Sequence, residues 1–182
     1  MQKKIWPGWL VLLVAAIVLA VDQTTKRWIE RNLAIGESLV PFPALADTFT
    51  ITHLTNTGAA FGLFRDQRAL LLVIAAVVIV AIVVYARYLP HDRVAVQIAL
   101  GLQLGGALGN NLFDRVRLGH VTDFLYFHNL PIINRPWPAF NVADMAIVSG
   151  VALLALVLLR EGEPAKPQPA AVEHNVDEQQ PV

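Results

Sequence analysis

Four stretches without a single Asp, Glu, Lys or Arg constrain this chain more than anything else in it: residues 5–21 (17 residues), 69–86 (18), 94–113 (20) and 145–159 (15). A membrane-crossing helix needs about 20 apolar residues, within a range of roughly 17–25. The second and third stretches qualify unaided. The first and fourth reach that length only if the helix continues through Asp22 and Asp144, which puts two carboxylates at or just inside a membrane surface. Hydrophobic residues make up 55% of the chain and charged ones 15%; so little polar surface cannot cover a water-soluble domain of this size. The predicted fold class is therefore a membrane protein, mainly α, with four transmembrane helices over about 5–25, 69–87, 94–113 and 141–160. Residues 1–160 form one membrane domain.

Four spans return both termini to one side, so the segments 22–68 and 114–144 share the other. Charge counting does not orient them. The terminus side holds Lys3, Lys4, Arg87, Arg93, Arg160 and Lys166, and the opposite side holds Lys26, Arg27, Arg31, Arg65, Arg68, Arg115, Arg117 and Arg135, which runs against the usual cytoplasmic excess of Lys and Arg. Lys3 and Lys4 ahead of an apolar run ending at Ala20 also read as a secretory signal peptide. Cleavage there would remove a span and leave an odd number, so an uncleaved first helix is preferred. The chain has no Cys and a formal net charge of zero, which excludes thiolate chemistry and gives no electrostatic ground for nucleic-acid binding.

Between the spans, Thr48-Phe-Thr-Ile-Thr-His-Leu-Thr55 alternates Thr with larger side chains, the period of a strand with one buried face. A small sheet resting on the membrane surface is expected. Trp6, Trp9, Trp28, Tyr85, Tyr88 and Trp137 fall near span ends, as an interfacial aromatic belt requires. Three prolines in residues 129–138 exclude a regular helix and suggest a loop above the fourth span. Residues 161–182, rich in Pro, Gln and acid, read as a disordered tail. Gly101, Gly105 and Gly109 share one face of the third span, where they would let another helix approach closely.

By the parity argument Asp22, Lys26, Asn56, Asn111, Asp114, Arg115, Asp123, Asn141 and Asp144 all lie on one side of the membrane. Asn141 and Asp144 have the spacing of a helix N-cap and its N3 partner. Capping alone does not explain a second acid, Asp123, expected in the same short loop region between apolar Val121 and Phe124. Two half-buried carboxylates that face each other do not both ionise easily and are expected to share one proton. Such a pair suits aspartyl-protease chemistry: the ionised member takes a proton from water while the protonated one polarises the scissile carbonyl. Asp144, at a helix N-terminus, would be the more readily ionised. No metal and no cofactor is expected. The five histidines, His53, His91, His120, His128 and His174, show no zinc-binding spacing, and of the only serines, Ser38 and Ser149, the second lies within the fourth span away from any Lys.

The motifs Asp22-Gln-Thr-Thr-Lys26, Asn56-Thr-Gly-Ala-Ala-Phe61, Gly105-Gly-Ala-Leu-Gly-Asn-Asn-Leu-Phe-Asp-Arg115, Gly119-His-Val-Thr-Asp-Phe124 and Phe140-Asn-Val-Ala-Asp144 together resemble the lipoprotein signal peptidases (signal peptidase II) of bacteria, over nearly the whole chain except the tail. The resemblance implies four transmembrane helices with cytoplasmic termini in the bacterial inner membrane, a small extracytoplasmic β-cradle and a short surface helix or loop. It also implies a monomeric aspartic endopeptidase that cleaves diacylglyceryl-modified prolipoproteins before the lipidated Cys, contacts membrane lipid and is sensitive to globomycin-like cyclic peptides. It selects Asp123 and Asp144 as the catalytic pair over Asp22 and Asp114. Asp22, Lys26, Asn56, Gly58, Asn111, Asp114, Arg115 and Asn141 become supporting or substrate-binding residues. Two departures stand out. Asn110 and Asn111 are adjacent where the family usually has one Asn. Counting back from Asp114 favours Asn111, with a local helical bulge absorbing the extra residue. Thr122 occupies a position where an aliphatic residue is commoner. The competing readings are a small transporter or channel subunit, which would place ionisable groups near the bilayer midplane, and a non-catalytic lipoprotein-binding scaffold.

Overall fold

A computed structural model describes residues 8–59, 63–130 and 135–161; the expected tail beyond residue 161 lies outside them. Among the described residues, five α-helices, a 3₁₀ turn, a π-helical segment and four strands follow one another: α1 (Trp9–Asn32), β1 (Ser38–Leu39), the 3₁₀ turn (Pro43–Leu45), β2 (Phe49–Asn56), α2 (Arg68–Ala86), α3 (Val94–Ala107), the π-helical segment (Leu108–Arg115), the short α4 (Val116–Leu118), β3 (Val121–Leu130), β4 (Arg135–Phe140) and α5 (Val142–Glu161). Three of these, α1, α2 and α5, are long and apolar enough to cross a membrane. Only 28%, 22% and 17% of the residues in their apolar windows are buried inside the protein. Side chains such as Ile17, Val73, Val77, Val148 and Leu158 point outward. A helix that is apolar all round and so little covered by protein calls for lipid around it.

α3 starts at Val94, as the charge-free run predicts. After fourteen residues it passes without a break into eight residues of π-helix. It is also the most enclosed helix, with Val96, Ala99, Leu100, Leu104 and Ala107 buried. Glycines make this central position possible. A Cβ on Gly101 would stand 2.6 Å from the Val14 Cβ, and one on Gly105 would stand 2.7 Å from that of Val18, so α1 lies directly on this face. Gly106 turns the other way, where a Cβ would come within 2.5 Å of the Ala143 carbonyl oxygen, and α5 reciprocates with Gly150 against the Ala99 carbonyl at 2.6 Å. Lipid gives no hydrophobic drive for helix association, so backbone approach through small residues and the dispersion it gains must hold the helices together. Apolar contacts from Val11, Ala15, Ile82, Ala86, Leu89, Leu100 and Leu104 complete the core.

The strands form one antiparallel sheet in the order β1-β2-β3-β4. The Thr-alternating segment is β2, shifted by one residue from the expected 48–55. Two expectations are corrected. Asp123 lies inside a ten-residue strand and not in a loop. Of residues 129–138, read as loop because of their prolines, 129–130 end β3 and 135–138 lie in β4. Pro136 and Pro138 are tolerated there because β4 is an edge strand, where a missing N–H need not break a ladder. Residues 131–134 lie outside the described set. Between Ile51↔Leu125 and Leu54↔Asp123, β2 advances by one residue more than β3. Such a bulge bends the strand locally, and it falls immediately beside Asp123.

Gly106→Val is expected to lower thermal stability in detergent or nanodiscs by more than the same change at Gly36, whose Cβ would meet nothing within 4 Å but whose left-handed φ of +86° costs about 1–2 kcal/mol for any side chain. Unfolding curves of the two variants check the order.

Candidate active site

The site is built on a buried ion cluster where α1, the π-helical segment and the start of α5 meet. Lys26 has no solvent exposure, and its ammonium group uses all three of its protons. It contacts Asp22 Oδ2 at 2.9 Å and Asp114 Oδ2 at 2.8 Å and donates to Asn110 Oδ1 at 2.6 Å. Asp22 sits one helical turn before Lys26, so α1 carries this pair on one face. The other oxygen of Asp22 accepts the Ala143 N–H at 2.9 Å, one of the amides that a helix leaves unsatisfied at its N-terminus. One carboxylate thereby ties α1 to α5. Asp114 takes Gln23 Nε2 at 2.8 Å and, more loosely, the Thr122 N–H at 3.4 Å, which ties the π-helical segment to β3. Gly109 leaves the room: a Cβ there would lie 2.5 Å from Asp22 Oδ2.

Asp123 and Asp144 stand one step further out and are joined through Asn141. The Asn141 side chain donates to Asp123 Oδ1 at 2.6 Å. Its backbone N–H donates to Asp144 Oδ2 at 3.1 Å, and its Oδ1 accepts the Asp144 N–H at 3.0 Å. The capping box inferred from spacing is therefore present, and the same Asn also grips the second acid. Asn56 donates to Asp123 Oδ2 at 3.0 Å, and Asn110 donates to Asp144 Oδ1 at 2.7 Å. Each of the four carboxylate oxygens thus receives an N–H. Burial, followed by the nearby negative charge of Asp144, pushes the Asp123 carboxyl up to about 7, against the bonds from Asn56 and Asn141 that favour its ionised form.

Of the two adjacent asparagines the structure puts Asn110, and not the favoured Asn111, against Asp144. Asn110 is 6% exposed and links Lys26 to Asp144. Asn111 donates to the Ala107 carbonyl and accepts from Arg115 Nη1 at 2.8 Å. The π-helical winding from Leu108 to Arg115 changes which face each residue presents relative to an ordinary helix, and Asn110 is the one that meets Asp144. Arg115 also donates to the Gly58 carbonyl, while the Gly58 N–H is held by Asn56 Oδ1 at 2.9 Å. Asn56, Gly58 and Arg115 therefore fix the chain beside Asp123. Asp22, Lys26 and Asp114 form one cluster, Asp123, Asn141 and Asp144 a second, and Asn110 connects them. Gln23, which the motif reading passed over, is buried between Asp22 and Asp114 and donates to both; its signal was its place inside the Asp22–Lys26 motif. Among the described residues no three His, Asp or Glu side chains converge in a way that could hold a metal ion.

A family profile described as signal peptidase (SPase) II matches residues 14–160. A lipoprotein signal peptidase of Moorella thermoacetica is 45% identical over 148 residues, covering 81% of this chain and 91% of its own. One from Pseudomonas fluorescens is 45% identical over 158 residues, covering 84% and 88%. A solved bacterial membrane enzyme at 2.3 Å resolution superposes with a TM-score of 0.76 at 31% identity, over 87% of this chain and 93% of that one.

Lys26→Met would leave the fully buried Asp22 and Asp114 without their cation, a change that typically costs about 3–5 kcal/mol. Denaturation of the variant in nanodiscs should show a loss of that order, and wild-type stability would contradict the charge pairing described.

Proposed function

The chain belongs to the signal peptidase II family, and on that premise we propose that Asp123 and Asp144 are the catalytic pair of an aspartic endopeptidase acting on diacylglyceryl-modified prolipoproteins. The observation that carries the proposal is the paired carboxyl site: two acids bridged by Asn141, every oxygen engaged, and one member pushed up to about 7. Near neutral pH such a pair holds one proton. Asp144 has the helix N-terminus at its back, and the Lys26 charge reaches it through Asn110, so it is the ionised member; Asp123 keeps the proton.

The steps follow from that assignment. A water molecule between the acids gives a proton to Asp144 while its oxygen bonds to the scissile carbonyl carbon, and the Asp123 proton is shared with the carbonyl oxygen. The tetrahedral adduct then breaks its C–N bond. The amine leaves with the proton held by Asp144, and the carbonyl re-forms as its proton returns to Asp123. Asn56, which donates to Asp123, and Arg115, which holds the Gly58 carbonyl, are the proposed contacts for substrate backbone or lipid.

The third span is proposed to be α3 with the π-helical segment, which makes four spans within a single domain of residues 1–160. Both termini are then cytoplasmic, the sheet and the acid pair lie on the extracytoplasmic side of the inner membrane, and the enzyme works as a monomer. The scissile bond precedes the lipidated Cys, so the diacylglyceryl group stays in the bilayer while the acids meet the peptide at its surface. The same surface would accept globomycin-like cyclic peptides.

The test is cleavage of a lipid-modified prolipoprotein followed by gel mobility. Asp123→Asn and Asp144→Asn should each lose at least about 10²–10⁴-fold, the span attributed to positioned acid–base groups; near-normal cleavage by either variant would sink the assignment. The pH profile carries a second prediction. Asp123 is protonated below about 7, so activity should fall as pH rises through that value. Asn56→Ala removes a bond that favours the ionised form and should move this alkaline limb to higher pH, whereas a downward or absent shift would contradict the role given to Asp123.

A further inference from the structure

Thr122 is fully buried, and all three of its polar groups are engaged by different elements. Its N–H faces Asp114 Oδ2 at 3.4 Å, its carbonyl accepts Asn141 Nδ2 at 3.3 Å, and its hydroxyl donates to Glu30 Oε1 on α1 at 2.9 Å. Glu30 is in turn held by Arg117 Nη2, 3.1 Å from each of its carboxylate oxygens. Asp123 is the next residue along β3. Adjacent strand residues point to opposite faces, so gripping Thr122 on one side fixes the angle at which the Asp123 carboxyl leaves on the other. Asp114 and Asn141 already serve the charge cluster and the acid pair. Glu30 and Arg117 serve neither, and nothing in the reaction requires them directly.

We propose that Glu30 is a positioning residue for peptide cleavage, acting through the Thr122 hydroxyl to hold Asp123 in register with Asp144. The inference rests on the reading of Asp123 as catalytic. It concerns geometry and not charge, because Glu30 does not touch the acid pair, and because an uncharged acceptor at the same place would serve Thr122 equally well. A carboxyl displaced by a fraction of an ångström loses alignment with both water and carbonyl, and a 1 Å misplacement can cost on the order of 100-fold in rate.

Four variants of the full-length protein in lipid test this, with rates normalised to folded protein: Thr122→Val, Thr122→Ser, Glu30→Ala and Glu30→Gln, together with the Thr122→Val/Glu30→Ala double variant. Thr122→Val and Glu30→Ala should each lower kcat about tenfold with KM unchanged, well inside the 100-fold limit for misplacement. The double variant should be no worse than the poorer single, because both remove one contact. Thr122→Ser and Glu30→Gln, which preserve a hydroxyl and an acceptor, should retain wild-type kcat. Wild-type kcat in Thr122→Val, multiplying losses in the double variant, or a loss confined to KM would each overturn the proposal. Full activity in Asp123→Asn would instead overturn the reading on which it rests.

Discussion

Lys26 holds a positive charge where no solvent reaches it, and three elements of the fold arrange themselves around that charge. Isolated in a low-dielectric interior it would be prohibitively unstable. Asp22, Asp114 and Asn110 supply one acceptor for each of its protons. Because these acceptors come from α1 and from the π-helical end of the third helix, satisfying the lysine also fixes how those segments meet. Asp22 then reaches the Ala143 amide and brings the start of α5 to the same point. A buried ion pair contributes little net stability by itself, but it is costly to break. Its effect here is to leave one arrangement of helix ends acceptable.

The acid pair depends on this arrangement. Asp144 is placed by the first turn of α5, and Asp123 by a strand whose neighbour carries a bulge beside it. Neither segment alone determines the spacing of the two carboxyls. Asn141 does, since one residue caps the helix and grips the strand acid. The glycines act at the same level from below: Gly105, Gly106 and Gly109 let α1, α5 and the Asp22 side chain approach the third helix at distances no larger residue permits.

Much of this was legible in the amino-acid order because bilayer thickness dictates span length. Charge-free runs located α2 and the start of α3 to within a residue, and the polar residues that parity was expected to gather do meet at one site. The first helix extends further than expected, to Asn32, because its polar turns are not a frayed end: Asp22, Gln23 and Lys26 are consumed by partners on other elements. The strand around Asp123 was less visible. Its burial pattern is mixed and its partner β4 contains two prolines, so neither the alternation rule nor proline avoidance identified it. The choice between Asn110 and Asn111 depends on π-helical winding, and residue spacing counted on an ordinary helix cannot supply it. The Glu30–Thr122 contact joins residues 92 positions apart, a pairing that only the folded chain reveals.

The account turns on one shared proton residing on Asp123, and infrared spectroscopy of the protein in lipid measures it most directly. Below pH 7 the wild type should show a protonated carboxyl band that titrates away as pH rises through about 7 and that is missing from Asp123→Asn. A band that survives unchanged in Asp123→Asn, or none in the wild type below that pH, would contradict it.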